Sequence, residues 1–408
     1  FNHVLEKEKK SLYVEWFQLK GAKIYAEHLK EHIDNMKKEA FLGDFTSIHP
    51  LLNNKIMNQI YDRVKDLPYN DMYSRTIIFI QQLFDLKSPE NSTELVSNFK
   101  KYWNVIRKSV NEVYTEFLQK EYLFSADRNN LLVQLSRNQR EYYEEDIPAL
   151  VYTSFLLDKP NNIQNFDHIF IDEAQDINYI QFLLLKTFCP TSSFTIVGDL
   201  NQQIYLQRGI GSWENLKPLF DFNFMSLEYN YRSSKEIMDL ATSCLIKTDY
   251  KGTGILETGV RPIQYFFNKK TSDTENWLRI KKRYLADWLL SKQSIAIITN
   301  SIEDSEKIEE SLYSIGLLET NVIRSSNSTL DHSKITIISS LQVKGLEFNH
   351  VLLYNPSEKE YPADNYFSKL LYMVMTRALY NLVLLIIDNP TSLLEEADLN
   401  YLCQNVKE

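Results

Sequence analysis

Apolar residues at Leu12, Trp16, Leu19, Ala22, Ala26, Leu29, Ile33, Met36 and Ala40 recur at spacings of three and four. That period puts them on one stripe of a long amphipathic helix, which Gly43 and Asp44 are expected to end. More helix is predicted over 56–64 and 73–84. Another stretch runs over 93–121, where Leu95, Phe99, Trp103, Ile106, Val110, Val113 and Phe117 keep the period. Ser88-Pro89-Glu90-Asn91-Ser92 reads as the turn before it. Residues 1–140 thus form an all-helical region without a strand pattern. Its stripes read as bundle core, with a projecting helical pair that grips a partner as the alternative.

Beyond residue 150 the pattern changes to short apolar runs separated by helical stretches. The runs are 168–171, 193–198, 226–230, 295–299, 335–339, 350–355 and 382–387, and helices are expected over 234–247, 274–292, 301–315 and 366–379. Continuous apolar runs of this length are strands buried on both faces, so the fold class is α/β with mostly parallel sheet. A change of character near 220–230 divides this part into the end of one α/β domain, 141–222, and a second, nearly complete one, 223–408.

Composition narrows the function classes. A chain of 408 residues exceeds what one hydrophobic core usually spans. The formal charge of −9, from 45 Lys and Arg against 54 Asp and Glu, excludes an evenly basic surface but leaves room for a local basic groove. Three widely spaced cysteines, Cys189, Cys244 and Cys403, show no metal-ligand spacing and fit a reducing compartment, so a cytoplasmic location is expected. No apolar stretch is long enough to span a membrane.

The chemistry sits at the ends of the predicted strands. His168-Ile169-Phe170-Ile171 runs into Asp172-Glu173-Ala174-Gln175-Asp176. Two adjacent carboxylates thus stand at the carboxyl end of a buried strand, where open α/β sheets bind ligands. One carboxylate can hold Mg2+ through its water shell while the other orients or deprotonates a water; plain helix capping is the alternative. The next strand ends in Gly198-Asp199-Leu200-Asn201-Gln202, and a neutral amide there can bond a phosphate oxygen and a water at once. Arg232, in Asn230-Tyr231-Arg232-Ser233-Ser234, lies near a helix start, where a cation suits an anionic ligand more than the helix itself. Arg377 follows an apolar helix. Each arginine alone could equally be ion-paired at the surface, whereas together they could neutralise a phosphoryl group in transfer. Lys344-Gly345-Leu346-Glu347-Phe348, between two strands, offers backbone N–H groups, a cation and a carboxylate suited to a sugar hydroxyl, or else is a solvated loop.

In this order the segments resemble those of superfamily 1 helicases of the UvrD, Rep and PcrA kind. IDEAQD (171–176) looks like the Walker B motif, GDLNQQIY (198–205) like motif III, NYRSS (230–234) like motif IV, KGLEF (344–348) like motif V and YMVMTRA (372–378) like motif VI. The texture of YYEEDIPALVY (142–152), RGIGSW (208–213) and IISSLQVKGLEF (337–348) is similar to the HelD-type branch, helicase-like factors that recycle RNA polymerase.

The resemblance implies RecA-like P-loop NTPase motor domains, one partial and one nearly complete, preceded by the helical region as an insertion. It implies ATP and Mg2+ as cofactors and an ATP-dependent motor that remodels RNA polymerase or nucleic-acid complexes. The alternatives are an ordinary 3'-5' single-stranded DNA translocase or helicase in repair or replication, and a non-catalytic binding module, with single-stranded or duplex DNA as a possible partner. By position it implies Asp172 for Mg2+, Glu173 for activating water, Gln202 for sensing the γ-phosphate, Arg232 and Arg377 as arginine fingers, and Tyr231 for stacking on adenine. Gly345 and Glu347 would approach phosphate and ribose, and Tyr205 and Arg208 single-stranded nucleic acid.

Two positions depart from the helicase pattern: Gln207, where a base-stacking aromatic is usual, and Leu341, where a histidine is usual. No GxxxxGK[ST] occurs in the 408 residues, and the chain begins at Phe1 in helical pattern. A HelD-type piece lacking the P-loop part, inactive by itself, is therefore expected.

Overall fold

The computed structural model describes residues 16–41, 45–50, 52–84, 89–119, 141–158, 166–205, 208–246, 252–323, 331, 334–395 and 402–407. The chain divides into two compact units, Phe1–Leu200 with Tyr205–Phe222, and Asn201–Ile204 with Asn223–Glu408.

In the first unit the long N-terminal stripe is not one helix. Residues 16–20 are helical, the chain turns at Gly21 and Ala22, and a second helix runs over Lys23–Phe41. The break has a packing cause. Tyr179 N donates to Gly21 O at 3.1 Å, and a Cβ on Gly21 would lie 2.8 Å from Asn178 Cβ. Only glycine allows that approach. The expected beginnings at Phe1 and Leu12 and the stop at Gly43-Asp44 lie outside the described residues.

Helices follow over Asn54–Val64, Tyr69–Phe84, Pro89–Ile106 and Val110–Leu118. Of the turn expected over 88–92, residues 89–92 instead begin a helix at Pro89, where a missing N–H leaves nothing unsatisfied, and residue 88 lies outside the described residues. The stretch predicted as one helix over 93–121 is two, because Ser109 and Glu112 form a capping box that opens a new helix.

These helices share a single core with the α/β part of the unit: Trp16, Leu29, Trp103 and Phe117 belong to the same apolar cluster as Ile171 and Ile180. A polar knot is buried in it. Lys20 and Asp146, both without solvent exposure, form an ion pair. Tyr114 Oη donates to Asp146 Oδ1 at 2.6 Å, Tyr143 N donates to Asp146 Oδ2 at 2.8 Å, and the Tyr25 and Tyr114 hydroxyls lie 2.7 Å apart. Burial holds the Lys20 ammonium below its ordinary pKa, and the adjacent Asp146 carboxylate opposes that shift. Strands β1 (His168–Ile171) and β2 (Ser193–Ile196) pair in parallel, and helix Tyr179–Phe188 connects them.

The second unit is built on a seven-stranded parallel sheet. In chain order its strands are β5 (Ile263–Phe266), β6 (Ile295–Thr299), β7 (Thr320–Val322), β8 (Ile335–Ser339), β9 (Phe348–Tyr354), β10 (Ala378–Ile386) and β11 (Gln404–Lys407), arranged β11-β5-β10-β9-β6-β8-β7. Every residue of β6 and β8 is buried, as their unbroken apolar runs require. The pair β3 (Tyr229–Asn230) and β4 (Thr253–Gly254) forms a separate ladder, so the strand expected over 226–230 shrinks to its last two residues.

His350 on β9 is stacked on Trp288 at 4.2 Å and bonded by both ring nitrogens, to Gln293 Oε1 and Asn381 Nδ2. Burial lowers its pKa to about 4, so the ring is a neutral structural element at physiological pH. Among the described residues no helix is long and apolar enough to cross a membrane.

Candidate active site

In the first unit, β1 delivers Asp172 and Glu173 at its carboxyl end. Glu173 sits in the left-handed region with φ 50°, a conformation that a side chain other than glycine adopts only under restraint. The restraints are explicit. Glu173 N donates to Asp172 Oδ1 at 2.8 Å, Ala174 N donates to Val197 O at 2.9 Å, and Gln175 Nε2 donates to the Glu173 carboxylate. The acidic pair is therefore held as a strained turn rather than as a helix cap.

Gln175 has no role in the sequence-based reading, yet it organises the site. It is fully buried, and while its amide nitrogen holds Glu173, its Oε1 accepts from Asp199 N at 3.0 Å and its carbonyl from Ile210 N at 3.3 Å. It joins the ends of both strands to the segment that carries Arg208. Gly198 makes room for it, because a Cβ there would collide with Gln175 Oε1. The only available signal was the glutamine within Asp-Glu-Ala-Gln-Asp, and two of its three partners, Asp199 and Ile210, come from later parts of the chain.

Tyr205 and Arg208 follow in the same unit. Burial first, and the Asp176 charge second, push the Tyr205 phenol above its ordinary pKa, so it stays a neutral hydroxyl. Arg208 is ion-paired with Glu144 at 2.7 Å and Glu145 at 3.6 Å. Gln207 lies outside the described residues.

The second unit brings Gln202 and Arg377 into direct contact. Arg377 stands between helix Asn365–Met375 and β10, is 3% exposed, and donates from Nη2 to Gln202 Oε1 at 2.8 Å. Its Nε donates to Met373 O at 2.9 Å and its Nη1 to Leu346 O at 3.3 Å. Lys344 Nζ reaches the Gln202 carbonyl at 3.2 Å. A buried guanidinium is thus fixed by the backbone on two sides and presents its remaining edge to a neutral amide.

Arg232 is positioned by Asn230, whose Oδ1 accepts from Arg232 N at 2.8 Å and Ser233 N at 3.0 Å, while Ser234 caps helix Lys235–Ser243. Its guanidinium pairs with Glu347 at 3.0 Å, so two residues read as ligand contacts hold one another. Tyr231 projects with 78% exposure. Gly345 has φ +80°, and a Cβ at this position would meet nothing, so the backbone angle rather than space calls for glycine. Leu341 is exposed at the start of this loop.

No group of three or more His, Cys, Asp or Glu side chains among the described residues could hold a metal by itself.

Comparison with known families gives two matches: the UvrD/REP helicase N-terminal domain over residues 7–217, and the UvrD-like helicase C-terminal domain over residues 334–385. The chain is similar to ATP-dependent DNA helicase srs2 of Schizosaccharomyces pombe, with 30% identity over 199 residues, 46% of this chain and 22% of that protein. It is similar to a probable DNA helicase II homolog of Mycoplasma capricolum, 32% identical over 26% of this chain and 16% of that protein. It is also similar to ATP-dependent DNA helicase Rep of Buchnera aphidicola, 32% identical over 24% of this chain and 16% of that protein. The chain thus covers well under half of the length of each of these relatives.

These matches correct one expectation. A single match to the UvrD/REP N-terminal domain takes in the helical stretch together with the acidic strand end. Both matches are to UvrD/REP-type domains, so the expectation of a HelD-type piece lacking the P-loop part does not stand. Both domain types of the UvrD motor are represented.

Proposed function

We propose, from the premise that the chain belongs to the UvrD/REP helicase family, that the protein is an ATP-driven motor acting on DNA. The observation that carries this reading is the contact between Arg377 and Gln202, with Lys344 on the carbonyl of the same glutamine. An amide that bonds a terminal phosphate oxygen, linked to a buried cation, changes its hydrogen bonds when that phosphate leaves. Such a group can convert hydrolysis into movement.

The roles follow from chemistry. The donor set fits a magnesium nucleotide: Asp172 would hold Mg2+ through a hard carboxylate oxygen, and the ion would supply positive charge against the phosphates. Glu173, restrained at a strained turn by Gln175 and Asp172, orients a water and takes its proton. Gln202 bonds phosphate oxygen and water. Arg377 supplies positive charge without conformational search, since its guanidinium is already fixed by Met373 O and Leu346 O. Arg232 must exchange Glu347 for an anionic ligand. For a pair with side chains 56% and 35% exposed, that exchange costs no more than about 1 kcal/mol. Glu347, once released, can turn to a sugar hydroxyl beside the Gly345 turn, and the exposed Tyr231 ring can stack on adenine. Tyr205 and Arg208 contact the nucleic acid.

DNA is the polymer this reading favours, since the three relatives above are all named as DNA helicases. Binding of single-stranded DNA by the full-length protein should weaken with salt, by about 0.7 log unit of affinity per log unit of salt for each phosphate neutralised. Equilibrium titration of a labelled strand at several salt concentrations measures this. A flat salt dependence, or no binding at low salt, contradicts the DNA reading.

A further inference from the structure

Two segments singled out in the sequence, YYEEDIPALVY and RGIGSW, meet in the first unit at Arg208. Its Nη2 lies 2.7 Å from Glu144 Oε2 and its Nε 3.6 Å from Glu145 Oε1. The next residue, Asp146, is fully buried and held by Lys20, Tyr114 and the Tyr143 backbone N–H. Pro148 lies in the first turn of the helix that follows, Ile147–Leu157. Glu144 and Glu145 are therefore carried on backbone pinned to the core, and Glu145 is itself only 12% exposed. Arg208 is set from its own side by Arg208 N donating to Tyr205 O at 3.0 Å, yet its side chain remains 41% exposed.

We propose that Glu144 and Glu145 are specificity-determining residues for nucleic-acid binding: a fixed pair of carboxylates that occupies Arg208 and that a phosphate must displace. The inference rests on the reading of Arg208 as a nucleic-acid contact. Two carboxylates against one guanidinium leave this spot with net negative charge, so a lone phosphate is repelled, and the pair yields only where other contacts have already brought a strand close. Because Glu144 is 67% exposed, its bond to Arg208 is weak enough for a phosphate to replace. The pair thus sets a threshold against stray anions and places the guanidinium for the ligand that passes it.

The test measures the Kd of single-stranded DNA for the full chain and for four variants: Glu144→Gln, Arg208→Gln, the two combined, and Glu141→Gln. Glu141 is an exposed acid nearby and controls for general loss of charge. Glu144→Gln should bind about two- to five-fold more tightly than wild type, and more tightly than Glu141→Gln. Arg208→Gln should bind more weakly, with a salt slope smaller by about 0.7. In the Arg208→Gln background the gain from Glu144→Gln should vanish. A Glu144→Gln effect no larger than that of Glu141→Gln, or one that persists without Arg208, overturns the proposal while leaving Arg208 as a DNA contact. Wild-type affinity and slope in Arg208→Gln remove Arg208 from the DNA site and the proposal with it.

Discussion

Glu173→Gln is expected to lower the steady-state rate of ATP hydrolysis about 10²- to 10⁴-fold while leaving the Kd for nucleotide within about two-fold of wild type. The amide keeps the size of the carboxylate and retains an oxygen that can accept from Gln175, so the left-handed turn at residue 173 survives. What is lost is the ability to take a proton from water. Asp172→Ala should behave differently, weakening Mg2+-dependent nucleotide binding as well as turnover, because it removes a metal ligand rather than a base. Turnover measured beside nucleotide titration separates the two. Equal losses of rate and affinity in both variants would show that the two carboxylates have been given the wrong roles.

Arg377→Ala carries the second large effect. The guanidinium is almost wholly buried and bonded to Gln202, Met373 O and Leu346 O. Its removal takes a donor from three acceptors and opens a cavity, with an expected loss of about 2–4 kcal/mol of stability. Turnover should fall at least about 10²-fold, the scale of losing a fixed cation at a phosphoryl-transfer site. Arg377→Lys restores charge but cannot reach two backbone carbonyls and an amide from one planar group, so it should recover part of the stability and little of the rate. Urea unfolding and ATPase assays on both variants measure this. Wild-type turnover in the lysine variant would reduce Arg377 to a generic cation.

How far these features could be read from the sequence depends on where their causes lie along the chain. Strands β6 and β8 were legible because burial on both faces makes them unbroken apolar runs. Strands β5, β7 and β11 were not, since Gln264, Asn321 and Gln404 interrupt their apolar character in segments of three or four residues. The break at Gly21 was invisible because Asn178, the residue that demands it, is remote in sequence. The strand ends were readable as places for chemistry, since acids and glycines there have few structural duties. Their wiring was not. Gln175 owes its importance to Glu173, Asp199 and Ile210, and the mutual pairing of Arg232 with Glu347 depends on the fold bringing two separate loops together.

The proposed motor couples hydrolysis at these residues to DNA. The rate of ATP hydrolysis by the full-length protein, measured with and without saturating single-stranded DNA, tests it most directly. DNA is expected to raise the rate by tens of fold, and Glu173→Gln to abolish the increase. Hydrolysis at one and the same rate in the presence and absence of DNA would contradict it.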